Sequence, residues 1–224
     1  MKFLLLPLAI GLVAGPCAAA PAKPYTRNVA IVIYENAEPL DWTGPFEVYN
    51  DAGSIGAANG QDAFNVYVVS KTTDPVNAQG LKVVPNYSIA DAPKPDIVLF
   101  PGGPSSKIYE DAEFFAWAKQ ACAGAEIAQS VCTGAFVLGH AGLLAGKKAT
   151  THHDFHDQLK TQFPDVTLER GVRYVEGASN VATAGGLTSG IDLALHVVER
   201  YFGRDVAQRT ATYMEYQGKG WLPA

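Results

Sequence analysis

The stretch Ala128-Gln129-Ser130-Val131-Cys132-Thr133-Gly134-Ala135-Phe136-Val137-Leu138-Gly139 reads as a short strand that breaks abruptly into a helix, with a thiol at the break. Gly134 and Ala135 are small enough for such a turn to pack against a neighbouring strand. A cysteine held there meets the first amides of the following helix, whose positive end favours the thiolate, the nucleophilic form of the side chain. The layout is that of a nucleophile elbow with sulfur in place of a serine oxygen. An inert, buried structural cysteine is the competing reading. The turn context weighs against it.

On either side of this elbow the chain alternates apolar runs with helical ones. Val29-Ala30-Ile31-Val32-Ile33-Tyr34 is nearly continuous in apolar residues, as expected of a strand buried on both faces of a parallel sheet. Phe64–Val69 and Ile97–Phe100 have the same character, and helices are expected near 44–52, 111–123, 134–144, 153–162 and 189–202. In the last of these, Ile191, Ala194, Leu195, Val198 and Phe202 form one stripe, and Ser189 with Asp192 suggests a capping box. Strand–helix alternation without an internal repeat or linker predicts one doubly wound α/β domain over residues 23–224.

The first 22 residues read differently. Lys2 precedes an apolar run from Phe3 to Val13, then small residues ending in Ala20-Pro21-Ala22. That pattern is a secretory signal peptide, too short in its apolar part to span a bilayer, with cleavage after Ala22. Pro16 directly before Cys17 argues against a lipid-anchored cysteine. The expected product is exported, periplasmic or secreted, with no membrane attachment after the leader is removed. A net charge of −5 and the absence of a basic run argue against nucleic acid as a partner. Loss of the leader leaves Cys122 and Cys132, which a helix end and a strand keep more than about 10 Å apart, beyond disulfide reach. Both are expected to be free.

In a doubly wound sheet, ligands bind beyond the carboxyl ends of the strands. Three segments should meet there: the loop after the first strand with Glu35, Glu38 and Asp41, the turn Pro101-Gly102-Gly103-Pro104, and the Cys132 elbow. The amides of Gly102 and Gly103, with that of Thr133, are candidates for an oxyanion hole. Asp41 is the candidate proton partner for the thiol, although a carboxylate so placed also simply favours a helix N-terminus. Glu38, before Pro39 in a polar stretch, looks solvated. His152 and His156 stand four apart and could share a helix face to grip a metal, but nothing completes the ligand set, so no metal and no cofactor are expected. His152 is kept as a pocket-lining residue.

The Pro-Gly-Gly turn, then Ser130-Val131-Cys132-Thr133-Gly134-Ala135, then Ala141-Gly142-Leu143-Leu144-Ala145-Gly146-Lys147-Lys148-Ala149-Thr150-Thr151-His152 together resemble the ThiJ/PfpI superfamily, also described as class I glutamine-amidotransferase-like. The resemblance runs from Val29 to about Tyr216. It implies a flavodoxin-like fold, a mostly parallel sheet with helices on both faces, usually assembled as a homodimer and acting on a small-molecule substrate. Two groups within it are most similar: isocyanide (isonitrile) hydratases, and the amidase-like domain of AraC-type regulators. The regulators carry a helix-turn-helix domain behind this one, whereas this chain stops at Ala224, so an enzyme is expected rather than a transcription factor. By resemblance to the hydratases, Leu40-Asp41-Trp42-Thr43-Gly44-Pro45 supplies a catalytic aspartate, Cys132 the nucleophile and Thr133 its neighbour. His153 stands where tryptophan is common, which implies a smaller, more polar pocket wall. Protease-like members place a histidine directly after the cysteine, where this chain has Thr133. A thiol hydrolase or glyoxalase/deglycase using His152, and a non-enzymatic redox-responsive or ligand-binding protein, remain the alternatives.

Overall fold

A computed structural model describes residues 25–57, 61–176 and 180–222. The expected leader, with Cys17, lies outside the described residues. The chain enters through β1 (Arg27–Val32), α1 (Pro39–Ile55) and β2 (Phe64–Ser70), then three short strands, β3 (Val76–Ala78), β4 (Leu81–Val83) and β5 (Tyr87–Ser88). The second half begins with β6 (Ile97–Phe100), α2 (Ser106–Tyr109), α3 (Ala112–Gly124), β7 (Ile127–Val131) and α4 (Ala135–His140). It closes with β8 (Lys148–Ala149), α5 (His156–Gln162), β9 (Thr167–Leu168), β10 (Tyr174–Glu176), β11 (Val181–Ala184) and the long α6 (Ser189–Tyr213).

Seven strands form the central sheet in the order β10-β11-β7-β6-β1-β2-β5. Every neighbouring pair is parallel except β10 with β11. All residues of β6 and β7 are buried, as in strands covered on both faces, including the polar Gln129 and Ser130 of β7. From β1 the chain winds outward through β2, then returns to place β6 on the other side of β1. The order therefore reverses between β1 and β6, and a crevice opens beyond their carboxyl ends. The fold is the doubly wound, mostly parallel α/β sheet expected from the sequence.

Three local expectations need correction. Helix α1 starts at Pro39 rather than near 44, so Asp41 lies in its first turn and Pro45 inside the helix. The 153–162 helix is split: a 3₁₀ turn at His153–Phe155 precedes α5, and His152 sits before the turn while His156 opens the helix. The pair therefore shares no helix face. The capping box at α6 does not form, because Thr188 is the capping position and its side chain bonds no helix amide, and Asp192 instead accepts from Arg173 and Tyr216. Cys122 and Cys132 are both free.

Candidate active site

Strand β7 ends at Val131 and the backbone turns sharply at Cys132, whose φ of 55° lies in the left-handed region. A non-glycine residue there is strained and must be held by its surroundings. The Cys132 amide donates to the Gly185 carbonyl at 2.7 Å, and the Cys132 carbonyl accepts from the Thr151 hydroxyl at 2.7 Å. The 3₁₀ turn Cys132–Gly134 then runs into α4. A Cβ at Gly134 would lie 2.0 Å from the Phe100 carbonyl oxygen, so the elbow packs on the end of β6 only because residue 134 is glycine.

Asp41 reaches this thiol from α1. It is fully buried, and its two oxygens are held by different segments: Oδ2 accepts from the Gly102 amide at 2.8 Å, Oδ1 from the Leu187 amide at 3.0 Å. Its carboxylate faces Cys132 across the Gly102 backbone, and its charge is felt by the thiol. The meeting place is defined by what Gly102 lacks. A Cβ there would lie 2.6 Å from Asp41 Oδ2 and 2.8 Å from Cys132 Sγ. Tyr34, two residues beyond β1, holds the Pro-Gly-Gly turn in place by sharing its hydroxyl proton between the carbonyls of Pro101 (2.8 Å) and Gly102 (2.7 Å).

Burial dominates the electrostatics. It pushes the Asp41 carboxyl up to about 7, with the Glu38 charge adding and the Gly102 and Leu187 amides opposing. Burial, then the neighbouring Asp41 charge, pushes the Cys132 thiol up to about 12, against the pull of the Thr133 amide and hydroxyl. The thiolate expected from the helix-end amides is therefore not the resting form. At neutral pH the thiol keeps its proton and Asp41 is near its midpoint, and the ionised carboxylate is the form placed to take the proton from sulfur.

The oxyanion hole expected at Gly102 and Gly103 is not there. The Gly102 amide is committed to Asp41, and the Gly103 amide donates to Thr133 Oγ1 at 3.0 Å. Thr133 Oγ1 in turn donates to the Gly103 carbonyl at 2.9 Å, locking the elbow to the turn. These contacts make the glycines structural partners of the pair.

Cys132 opens onto a cavity of about 260 Å³ lined by Glu38, Gly103, Thr133, His152, Phe155 and Leu187. Glu38, expected to be solvated, is half-buried and forms part of this wall. His152 is packed against Gly186 and accepts the Asp154 amide on Nδ1 at 3.3 Å. His153 is absent from this lining; it borders a neighbouring 380 Å³ hollow that shares only His152 and Leu187 with the first. The pocket wall expected from residue 153 is therefore not a wall of the thiol's cavity. A larger hollow of 580 Å³ between Pro93 and Trp117 contains none of these groups. Among the described residues, His152, His153 and Asp154 bring ligand atoms within 4.8 Å of one another. The two imidazoles are stacked at 4.3 Å, which points their in-plane lone pairs side by side rather than at one centre.

Sequence reasoning missed Tyr34, Leu187 and the whole 185–188 turn. The available signal was Gly185-Gly186 after the small apolar run Val181–Ala184.

The DJ-1/PfpI family model matches residues 27–200. The chain belongs to the DJ-1/PfpI family. Isonitrile hydratase of Pseudomonas putida is 34% identical to it over 191 residues, covering 84% of this chain and 78% of the relative. The HTH-type transcriptional regulator GbdR of Pseudomonas aeruginosa is 25% identical over 140 residues, 62% of this chain but 38% of the regulator. Among solved structures, a ThiJ/PfpI family protein from Pseudomonas syringae superposes with a TM-score of 0.76 at 27% identity, covering 92% of this chain and 83% of that one. DJ-1/PfpI members thus include both small-molecule enzymes and regulators, and the family by itself assigns no reaction.

Proposed function

We propose that this DJ-1/PfpI protein is a cysteine-dependent isocyanide hydratase, converting an isocyanide to an N-substituted formamide. The observation that carries the reading is the buried Asp41 carboxyl set beside Cys132 Sγ across Gly102, with the thiol opening onto a 260 Å³ cavity. The relative named isonitrile hydratase supports it. In this mechanism Cys132 Sγ attacks the terminal isocyanide carbon, forming the C–S bond as Asp41 takes the thiol proton. Asp41 returns that proton to the same carbon, giving a thioimidate. Water then adds to the carbon, nitrogen is protonated, and the C–S bond breaks. The formamide departs and the sulfur regains its proton through Asp41. Thr133 fixes the elbow, and the Thr133 amide beside sulfur offsets charge that develops there.

The test is steady-state formamide production from an aryl isocyanide. Multiple turnovers by the wild type and none by Cys132→Ala support the reading; turnover retained by the variant sinks it. One observation favours a second reading, a thiol hydrolase or glyoxalase: His152 lines the same cavity. Turnover of a dicarbonyl that disappears in His152→Ala, without isocyanide turnover, would select it. The reading also includes an export leader over residues 1–22 and a homodimer. An intact N-terminus at Met1 in secreted or periplasmic material, or a monomer in sedimentation, would remove those parts.

A further inference from the structure

We propose that Arg173 is a positioning residue for the Asp41–Cys132 pair, acting through the 185–188 turn that it fastens to helix α6. The inference rests on the hydratase reading only in treating Asp41 as the group that takes the Cys132 proton.

The turn touches both members of the pair. Its Gly185 carbonyl accepts the Cys132 amide at 2.7 Å, and its Leu187 amide donates to Asp41 Oδ1 at 3.0 Å. Leu187 has a φ of 53°, unfavourable for a side chain of its size, so the turn does not hold this shape by local preference. Arg173 grips it twice. The Gly185 amide donates to the Arg173 carbonyl at 2.9 Å, and Arg173 Nη2 donates to Thr188 Oγ1 at 2.9 Å. The guanidinium is itself anchored, because Nε donates to Asp192 Oδ2 at 2.6 Å and Asp192 is buried in α6. The other oxygen of Asp192 accepts from the Tyr216 hydroxyl at 3.1 Å. A planar fork can bond the carboxylate and the hydroxyl at once, and a lysine ammonium lacks that geometry.

The charge of Arg173 is matched by Asp192, so its influence on Asp41 is carried by the position of one amide. The titratable groups facing Asp41 are Cys132 from the elbow, Tyr34 just beyond β1 and Glu38 just before α1. The Leu187 amide opposes the burial that raises Asp41. A turn released from Arg173 weakens that bond, and Asp41 keeps its proton to higher pH.

The rate of Cys132 alkylation by iodoacetamide, followed against pH on the full chain, reads this without any assumption about substrate. Thr188→Val removes one hydrogen bond at an exposed position and leaves the Arg173–Asp192 pair intact. Both Thr188→Val and Arg173→Lys are expected to move the midpoint up by about half a pH unit, a roughly threefold slower reaction below it, with rates converging at high pH. Thr188→Ser, which keeps the hydroxyl, should superimpose on the wild type. A Thr188→Val profile identical to the wild type, or slowed equally at every pH, overturns the proposal. If Arg173→Lys fails to fold, Thr188→Val decides alone. Formamide production measured in parallel separates the two ideas: a shifted alkylation profile without wild-type turnover overturns the hydratase reading and leaves this one standing.

Discussion

A carboxyl at about 7 beside a thiol at about 12 fixes how this site must work. The free thiol is too weakly acidic to supply thiolate at neutral pH, so the proton has to move to Asp41 as sulfur attacks. Activity is therefore expected to fall as pH drops below about 7, where Asp41 is already protonated and cannot accept. Asp41→Asn should lower kcat by about 10²–10⁴, the usual worth of general acid–base help, while Cys132 stays alkylatable at high pH. An activity unchanged between pH 5 and 8 would contradict the role given to Asp41. Gly102→Ala tests the geometry: its Cβ would intrude on both Asp41 Oδ2 and Cys132 Sγ, so activity should be lost with the fold retained in circular dichroism.

The elements that carry these residues were legible in unequal degree. Strand β7 and the elbow announce themselves through Val131-Cys132-Thr133-Gly134, because a buried strand and a tight turn each demand particular residue types. The β11 strand was missed: Val181-Ala182-Thr183-Ala184 is short and mostly small, and its strand character comes from pairing with β7. The turn after it was missed for a related reason. Leu187 meets Asp41 across 146 residues, a contact no local pattern records. Asp192 was legible as a polar residue near a helix start, yet its role is set by Arg173 and Tyr216, which only the folded chain brings to it. At the elbow, Gly134→Ala should destabilise by at least about 2 kcal/mol, since the new methyl meets a backbone carbonyl that cannot move aside cheaply. A urea midpoint equal to that of the wild type would show that the elbow has room to spare.

For the molecule as a whole, Asp41 links the site to stability. Its folded value of about 7 lies above the ordinary 3.8, so the folded state binds the extra proton between those limits. Stability is accordingly expected to fall as pH rises from about 4 to 7, by an amount on the order of 2–4 kcal/mol, and then to level off with respect to this group. The fall in Tm between pH 5 and 7.5 should be smaller in Asp41→Asn, measured by calorimetry. An equal fall in both proteins would place the ionisation cost elsewhere. Doubly wound topology also separates the two ends of the sheet. Tyr25 stands just before β1 and is tied by its hydroxyl to Asp96 ahead of β6, while the thiol lies beyond the carboxyl ends of β6 and β7. A resin, electrode or fusion partner joined upstream of Tyr25 would thus meet the protein on the side away from the cavity, leaving its mouth open to the surrounding solution.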